Sequence, residues 1–187
     1  MSSHRSLTQL AHELLAEHLQ PGDIAIDATA GNGHDTLFLA RRVGPTGEVH
    51  AYDIQAEALQ ETRRRVQEAG CDAWVRLHPG SHAQLLPTLQ ADCRGRVAAV
   101  VFNLGYLPGG DRHTTTQNDS TLAALEQALA LLRPGGALSV LAYRGHPGGR
   151  DEARAVADWC DRQADLEHQV HESPGPVLHF CIHRRQA

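Results

Sequence analysis

The segment Asp23-Ile-Ala-Ile-Asp-Ala-Thr-Ala-Gly-Asn-Gly-His-Asp-Thr36 limits the fold more than any other part of the chain. Ile24, Ala25 and Ile26 form a short apolar run, the pattern of a parallel strand covered on both faces. Asp27 ends that run with a carboxylate. Gly31 and Gly33 permit a sharp turn and the close approach of a ligand to the backbone, and Leu37 to Ala40 open a helix. A strand-tip acid, a Gly-x-Gly turn and a helix N-terminus together make a cofactor-binding corner.

A dinucleotide fingerprint would place a third glycine where Thr36 stands, and a pyrophosphate is best met by bare backbone N–H groups. Here Asp27 precedes the turn and Asp35 follows it. Acids suit a cationic ligand. The corner therefore favours S-adenosylmethionine, which carries an ammonium and a sulfonium, over NAD.

Further strand-like runs follow at 48–53, 74–78, 97–102, 137–143, 168–172 and 177–184. Helical patterns cover 6–19, 34–42, 56–69, 82–90, 119–132 and 150–163, the first with Ser6 as its cap. Strand alternating with helix predicts an α/β fold with a doubly wound, mostly parallel sheet. Val97–Phe102, the most apolar strand, belongs at its centre, and 74–78 nearer an edge. Arg133-Pro-Gly-Gly136 reads as a helix terminator. Ser173-Pro-Gly-Pro176 is too short for a helical crossover, so the last strand is expected to be antiparallel. Residues 1–187 read as one domain, with residues 1–20 forming an N-terminal helix packed on it.

No apolar run approaches the length of a membrane span, and no signal-peptide core is visible. A soluble, cytoplasmic protein with reduced thiols is the expectation. The net charge of −5 argues against a broad phosphate-binding surface, though not against a local basic rim. The 13 histidines and 4 cysteines show no metal-ligand spacing, and no metal is expected.

In such a sheet, ligands sit at the carboxyl ends of the strands. Asp53 lies twenty residues beyond Gly33, the spacing at which an acid reaches a ribose diol, and Gln55 is just past it. Asp53 could equally cap helix 56–69. Ser81 and His82 sit where an adenine edge could be met, although Ser81 is also a helix cap. Asn103-Leu-Gly-Tyr106 has the spacing of the Asn-Pro-Pro-Tyr loop of amino methyltransferases. A carboxamide oxygen can accept an amine N–H and so aim the nitrogen lone pair, and a tyrosine can stack on an extruded base. Asp111 could take or attract a proton from an ammonium. Arg112, His113, Arg144, His146 and Arg150 could line a basic rim for phosphates.

These blocks, together with Ser81-His82, Phe102–Asp111 and Tyr143-Arg-Gly-His146, resemble the small class I methyltransferases labelled rRNA methylases. Members of that family are understood to methylate the aminomethyl group of 5-aminomethyl-2-thiouridine at the tRNA wobble position. The resemblance implies a seven-stranded Rossmann-like sheet with an antiparallel last strand. It implies S-adenosylmethionine contacts at Asn32, Asp53, Gln55, Ser81 and His82. It implies tRNA, through its anticodon stem-loop, as the partner, with a homodimer left open. Methylation of an rRNA base or of a free amine, and a non-catalytic nucleotide-binding module, are the competing readings. The Asn103–Tyr106 loop and Asp111 speak against the last, and activity on free nucleosides would favour the free amine.

Overall fold

The computed structural model describes residues 5–89, 93–105 and 118–184. Its sheet has seven strands: β1 (Ile24–Asp27), β2 (Glu48–Asp53), β3 (Val75–Pro79), β4 (Val97–Leu104), β5 (Leu132–Tyr143), β6 (Leu166–Glu172) and β7 (Pro176–His183). They are ordered β3-β2-β1-β4-β5-β7-β6. The first five are parallel. β7 inserts antiparallel between β5 and β6. The chain reverses direction across the sheet between β1 and β4, which opens a crevice at the tips of those two strands.

Helices cover both faces. α1 (Leu7–Ala16), α2 (His34–Val43) and α3 (Ala56–Glu68) pack on one side, where Leu15, Leu39 and Val66 meet Ala25, Val101 and Phe180. α4 (Leu85–Thr88), α5 (Asn118–Leu131) and α6 (Gly149–Arg162) cover the other, where Leu125 and Trp159 join a core with Ile26, Val100 and Phe102. β4 is buried over nearly its whole length and is the middle strand, as its apolar sequence requires.

Local details depart from the expected ones for physical reasons. Ser6 caps α1 as expected, and Gln9 completes a reciprocal capping box. Residues 82–90 do not form one helix: a 3-10 turn, His82–Gln84, leads into the single turn of α4. Trp74 precedes β3, closing a 3-10 turn, and its indole donates to Ala40 O at 2.9 Å. Arg133-Pro-Gly-Gly136 belongs to β5 instead of ending a helix. The β4–β5 register shifts there, and Arg133 pairs with Asp23 at 2.6 Å.

Gly33 has a structural reason beyond the turn. Its φ is +76°, and a Cβ would lie 2.8 Å from the Cα of Thr62 on α3. The turn and α3 touch through bare backbone.

Candidate active site

Three carboxylates surround the turn after β1. Asp27 is fully buried. One of its oxygens accepts from Thr29 N at 3.1 Å and the other from Thr36 Oγ1 at 2.6 Å. Thr36, at the position of a dinucleotide fingerprint's third glycine, thus closes the turn onto the strand tip. Burial, followed by the nearby charge of Asp35, pushes the Asp27 carboxyl up to about 7. Asp27 is thereby a brace of the turn, set beneath the surface a ligand would touch.

Asp53, at the tip of β2, accepts from Gly31 N and Gln55 N, each at 2.9 Å. It does not cap α3, whose N-cap residue is Gln55, with no side-chain cap bond. Ile54, between them, is 59% exposed, among the most exposed large apolar side chains described. The turn is also held from α3: Thr62 Oγ1 donates to Gly31 O at 3.1 Å, and Arg65 Nε to Asn32 O at 2.6 Å. Arg65, on the otherwise largely polar α3, thus reaches back to the cofactor corner.

Asp35, on the first turn of α2, joins two distant elements. One oxygen accepts from His12 Nε2 of α1 and the other from Asn103 Nδ2 of β4, both at 2.5 Å. His12 stacks on Phe38 with ring centroids 4.0 Å apart. The Asn103 backbone N–H donates to Thr29 Oγ1 at 2.7 Å, tying the β4 tip to the β1 turn. A carboxylate only accepts, so the face of the Asn103 amide that meets Asp35 must be its NH₂. Its carbonyl oxygen is then the group left for another partner.

At the tip of β3, Ser81 Oγ accepts from Ala83 N at 3.1 Å, the capping role. His82 is 8% exposed and turns edge-on to Phe102. Burial lowers its pKa to about 4, so the ring is neutral. At the tip of β5, Arg144 is engaged by the β6–β7 turn, donating to Ser173 O at 2.6 Å and Gly175 O at 3.1 Å. With His146, Arg150 and Asp151 it lines a cavity of about 480 Å³. Tyr106, Asp111, Arg112 and His113 lie outside the described residues.

The structure thus gathers Asp27, Gly31, Asn32, Gly33, Asp35, Asp53, Gln55 and Asn103 at one corner. It adds His12, Thr29, Thr36, Ile54 and Arg65, which sequence reasoning passed over. Thr36 and Ile54 had a signal: one replaces a fingerprint glycine, and the other directly follows a strand-tip acid. His12 and Arg65 had none, because only the packing of α1 and α3 brings them in.

Acids around a turn of backbone N–H groups, a ribose-spaced Asp53 and an exposed apolar Ile54 fit a cationic ligand bearing a ribose and a flat base. Sheet and corner together define a class I methyltransferase whose cofactor is S-adenosylmethionine. Residues 49–174 match the family model described as "Putative rRNA methylase", and the chain belongs to that family. It is 39% identical over 201 residues to the Arabidopsis thaliana protein "tRNA (mnm(5)s(2)U34)-methyltransferase, chloroplastic", covering 96% of this chain and 70% of that one. A crystal structure of a Clostridium thermocellum protein of the same family description superposes with a TM-score of 0.89 at 32% identity, over 97% of this chain and 99% of that one. A Streptococcus mutans protein, described as a methyltransferase and solved in complex with SAH, gives 0.83 at 29% identity, over 96% and 99% of the two chains. No helix among the described residues is long and apolar enough to cross a membrane.

Proposed function

We propose that this methyltransferase N-methylates the aminomethyl group of 5-aminomethyl-2-thiouridine at the wobble position of tRNA. The observation that carries the reading is the contact of Asn103 with Asp35, which orients the carboxamide at the tip of the central strand. The activity named for the Arabidopsis relative supports the same substrate.

Bound S-adenosylmethionine supplies an electrophilic methyl group on a sulfonium. The chain does the positioning. Asp53 takes the ribose hydroxyls, beside the Gly31 and Gln55 N–H groups it already holds. Ile54 offers an apolar surface to the adenine, with Ser81 and His82 at its far edge. Asn103 Oδ1 accepts an N–H of the neutral amine and turns its lone pair toward the methyl group. Asp35, reached through Asn103, places negative charge near the nitrogen as it becomes cationic. Tyr106 stacks on the extruded base, Asp111 attracts the ammonium form, and Arg112, His113, Arg144 and His146 meet the anticodon stem-loop phosphates. The whole of 1–187 acts as one domain in the compartment that holds its tRNA. That compartment is the cytoplasm on the sequence expectation, whereas the Arabidopsis relative is chloroplastic.

The test is nucleoside mass spectrometry of tRNA bearing 5-aminomethyl-2-thiouridine after incubation with S-adenosylmethionine. One methyl group should appear on that nucleoside. Its absence, or equal kcat/KM on the free nucleoside, would overturn the tRNA reading.

A further inference from the structure

The sheet edge farthest from β3 carries a second cluster of chemistry-bearing side chains. Cys160 lies in the last turn of α6, His168 on β6 and Cys181 on β7. His168 and Cys181 are direct partners across the antiparallel ladder, so their side chains share a face. Cys160 and Cys181 lie in the same core cluster, each at most 1% exposed. Their sulfurs are 3.5 Å apart, and a ring nitrogen of His168 lies within 4.8 Å of both. We propose that Cys160, His168 and Cys181 form a zinc site that pins α6 to the β6–β7 hairpin.

The donor set is soft and borderline, the combination that selects zinc or cuprous ion over hard cations. A tetrahedral zinc ion holds sulfur at about 2.3 Å and nitrogen at about 2.0 Å, so its donor atoms stand about 3.5–3.8 Å apart. The sulfurs already have nearly that spacing, and the imidazole needs to move by about 1 Å. The ring is supported on both sides. His168 Nδ1 donates to Asp161 Oδ1 at 2.8 Å, and its Nε2 lies 3.1 Å from His179 Nδ1. Whichever nitrogen ligates, the other keeps a polar partner that fixes the ring, the arrangement typical of metal-bound histidine. His179 is 2% exposed, and its Nε2 is buried with no hydrogen-bond partner among the described residues. Water completes the coordination.

Binding forms two metal–sulfur bonds and one metal–nitrogen bond and releases the two thiol protons to solvent. A disulfide between the same cysteines would need an oxidant and would leave His168 and both of its supports without a role. The sequence concealed this group, because its members are eight and thirteen residues apart and meet only through the hairpin register and the end of α6. The proposed site stands against the metal-free expectation drawn from residue spacing.

The experiment uses the full reduced chain, stripped with a chelator and titrated with Co²⁺, then Zn²⁺. The expected result is one equivalent of cobalt per chain, with tetrahedral visible bands and a thiolate-to-cobalt band, displaced by zinc. Zinc should also raise the melting temperature. His168→Gln should weaken zinc binding roughly 10- to 100-fold or more and cancel the thermal shift. Cys181→Ser should remove the thiolate band's intensity in part, and His168→Gln serves alone if that variant does not fold. No stoichiometric binding, an octahedral spectrum without the thiolate band, or a purified chain lighter by two hydrogens and silent to zinc would overturn the site.

Discussion

Asn103 Nδ2 and Asp35 Oδ2 lie 2.5 Å apart, and the other Asp35 oxygen lies 2.5 Å from His12 Nε2. One carboxylate thus ties the middle strand of the sheet to the first helix of the chain. It also decides which end of the Asn103 amide faces the crevice.

Asn103→Ala should leave S-adenosylmethionine affinity largely unchanged and lower single-turnover methyl transfer by roughly a hundredfold or more, the size of lost aim. Asp35→Asn keeps the shape but lets the Asn103 amide turn over, and its turnover should fall by about tenfold or more. Rates on tRNA, measured beside cofactor affinity by calorimetry, separate the two effects. A parent-like rate in Asn103→Ala would remove the aiming role.

Asp53→Ala deletes the acceptor of Gly31 N and Gln55 N as well as the proposed ribose ligand. Cofactor affinity should drop by roughly 1–3 kcal/mol, the scale of charge-assisted hydrogen bonds. Titration with SAH reads the loss, and unchanged affinity would take Asp53 out of the site.

The Asp27 carboxyl is raised from 3.8 to about 7 in the folded protein, first by burial and then by Asp35. Between those values the native state binds more protons than the unfolded chain. Stability without ligand should therefore fall as pH rises from about 4 to about 7 and level off above that. The contribution is on the order of 4 kcal/mol across the window. A cation in the corner favours the charged form, so S-adenosylmethionine affinity should rise with pH over the same range. Denaturant melts and calorimetry at a series of pH values test both slopes. Asp27→Asn should flatten them, and persistence of both slopes in that variant would assign them elsewhere.

Gly33→Ala would place a Cβ 2.8 Å from Thr62 Cα at a φ of +76°. The clash is with backbone, so trimming the Thr62 side chain cannot relieve it. A loss of about 2 kcal/mol or more is expected, with Thr62→Ser giving no rescue. Urea unfolding of the single and double variants checks this.

The inner strands were legible because β1, β4 and β5 each carry an apolar run, and β1 and β4 end it at a polar residue, Asp27 and Asn103. The β6–β7 hairpin followed from a link too short to cross over. At the site, Asp27, Asp53 and Asn103 were readable as residues at strand ends. Their division of labour was not: Asp27 and Asp53 differ by burial, and burial is set by how Thr36 and the Gly31 amide close on them. His12 and Arg65 were invisible for a different reason. Their side chains act at distances of 23 and 33 residues, across helix packing that local pattern does not encode.

The insertion of β7 between β5 and β6 also orders the events of folding. Among the described residues β6 pairs with no other strand, so it has no place in the sheet until β7 has docked. Until then β5 presents an open edge, a template for pairing with other chains. Closing that edge falls to Pro176–His183. Chains in which this segment is undocked should be the aggregation-prone species, and docking of β7 on β5 buries the hazard in a single antiparallel step.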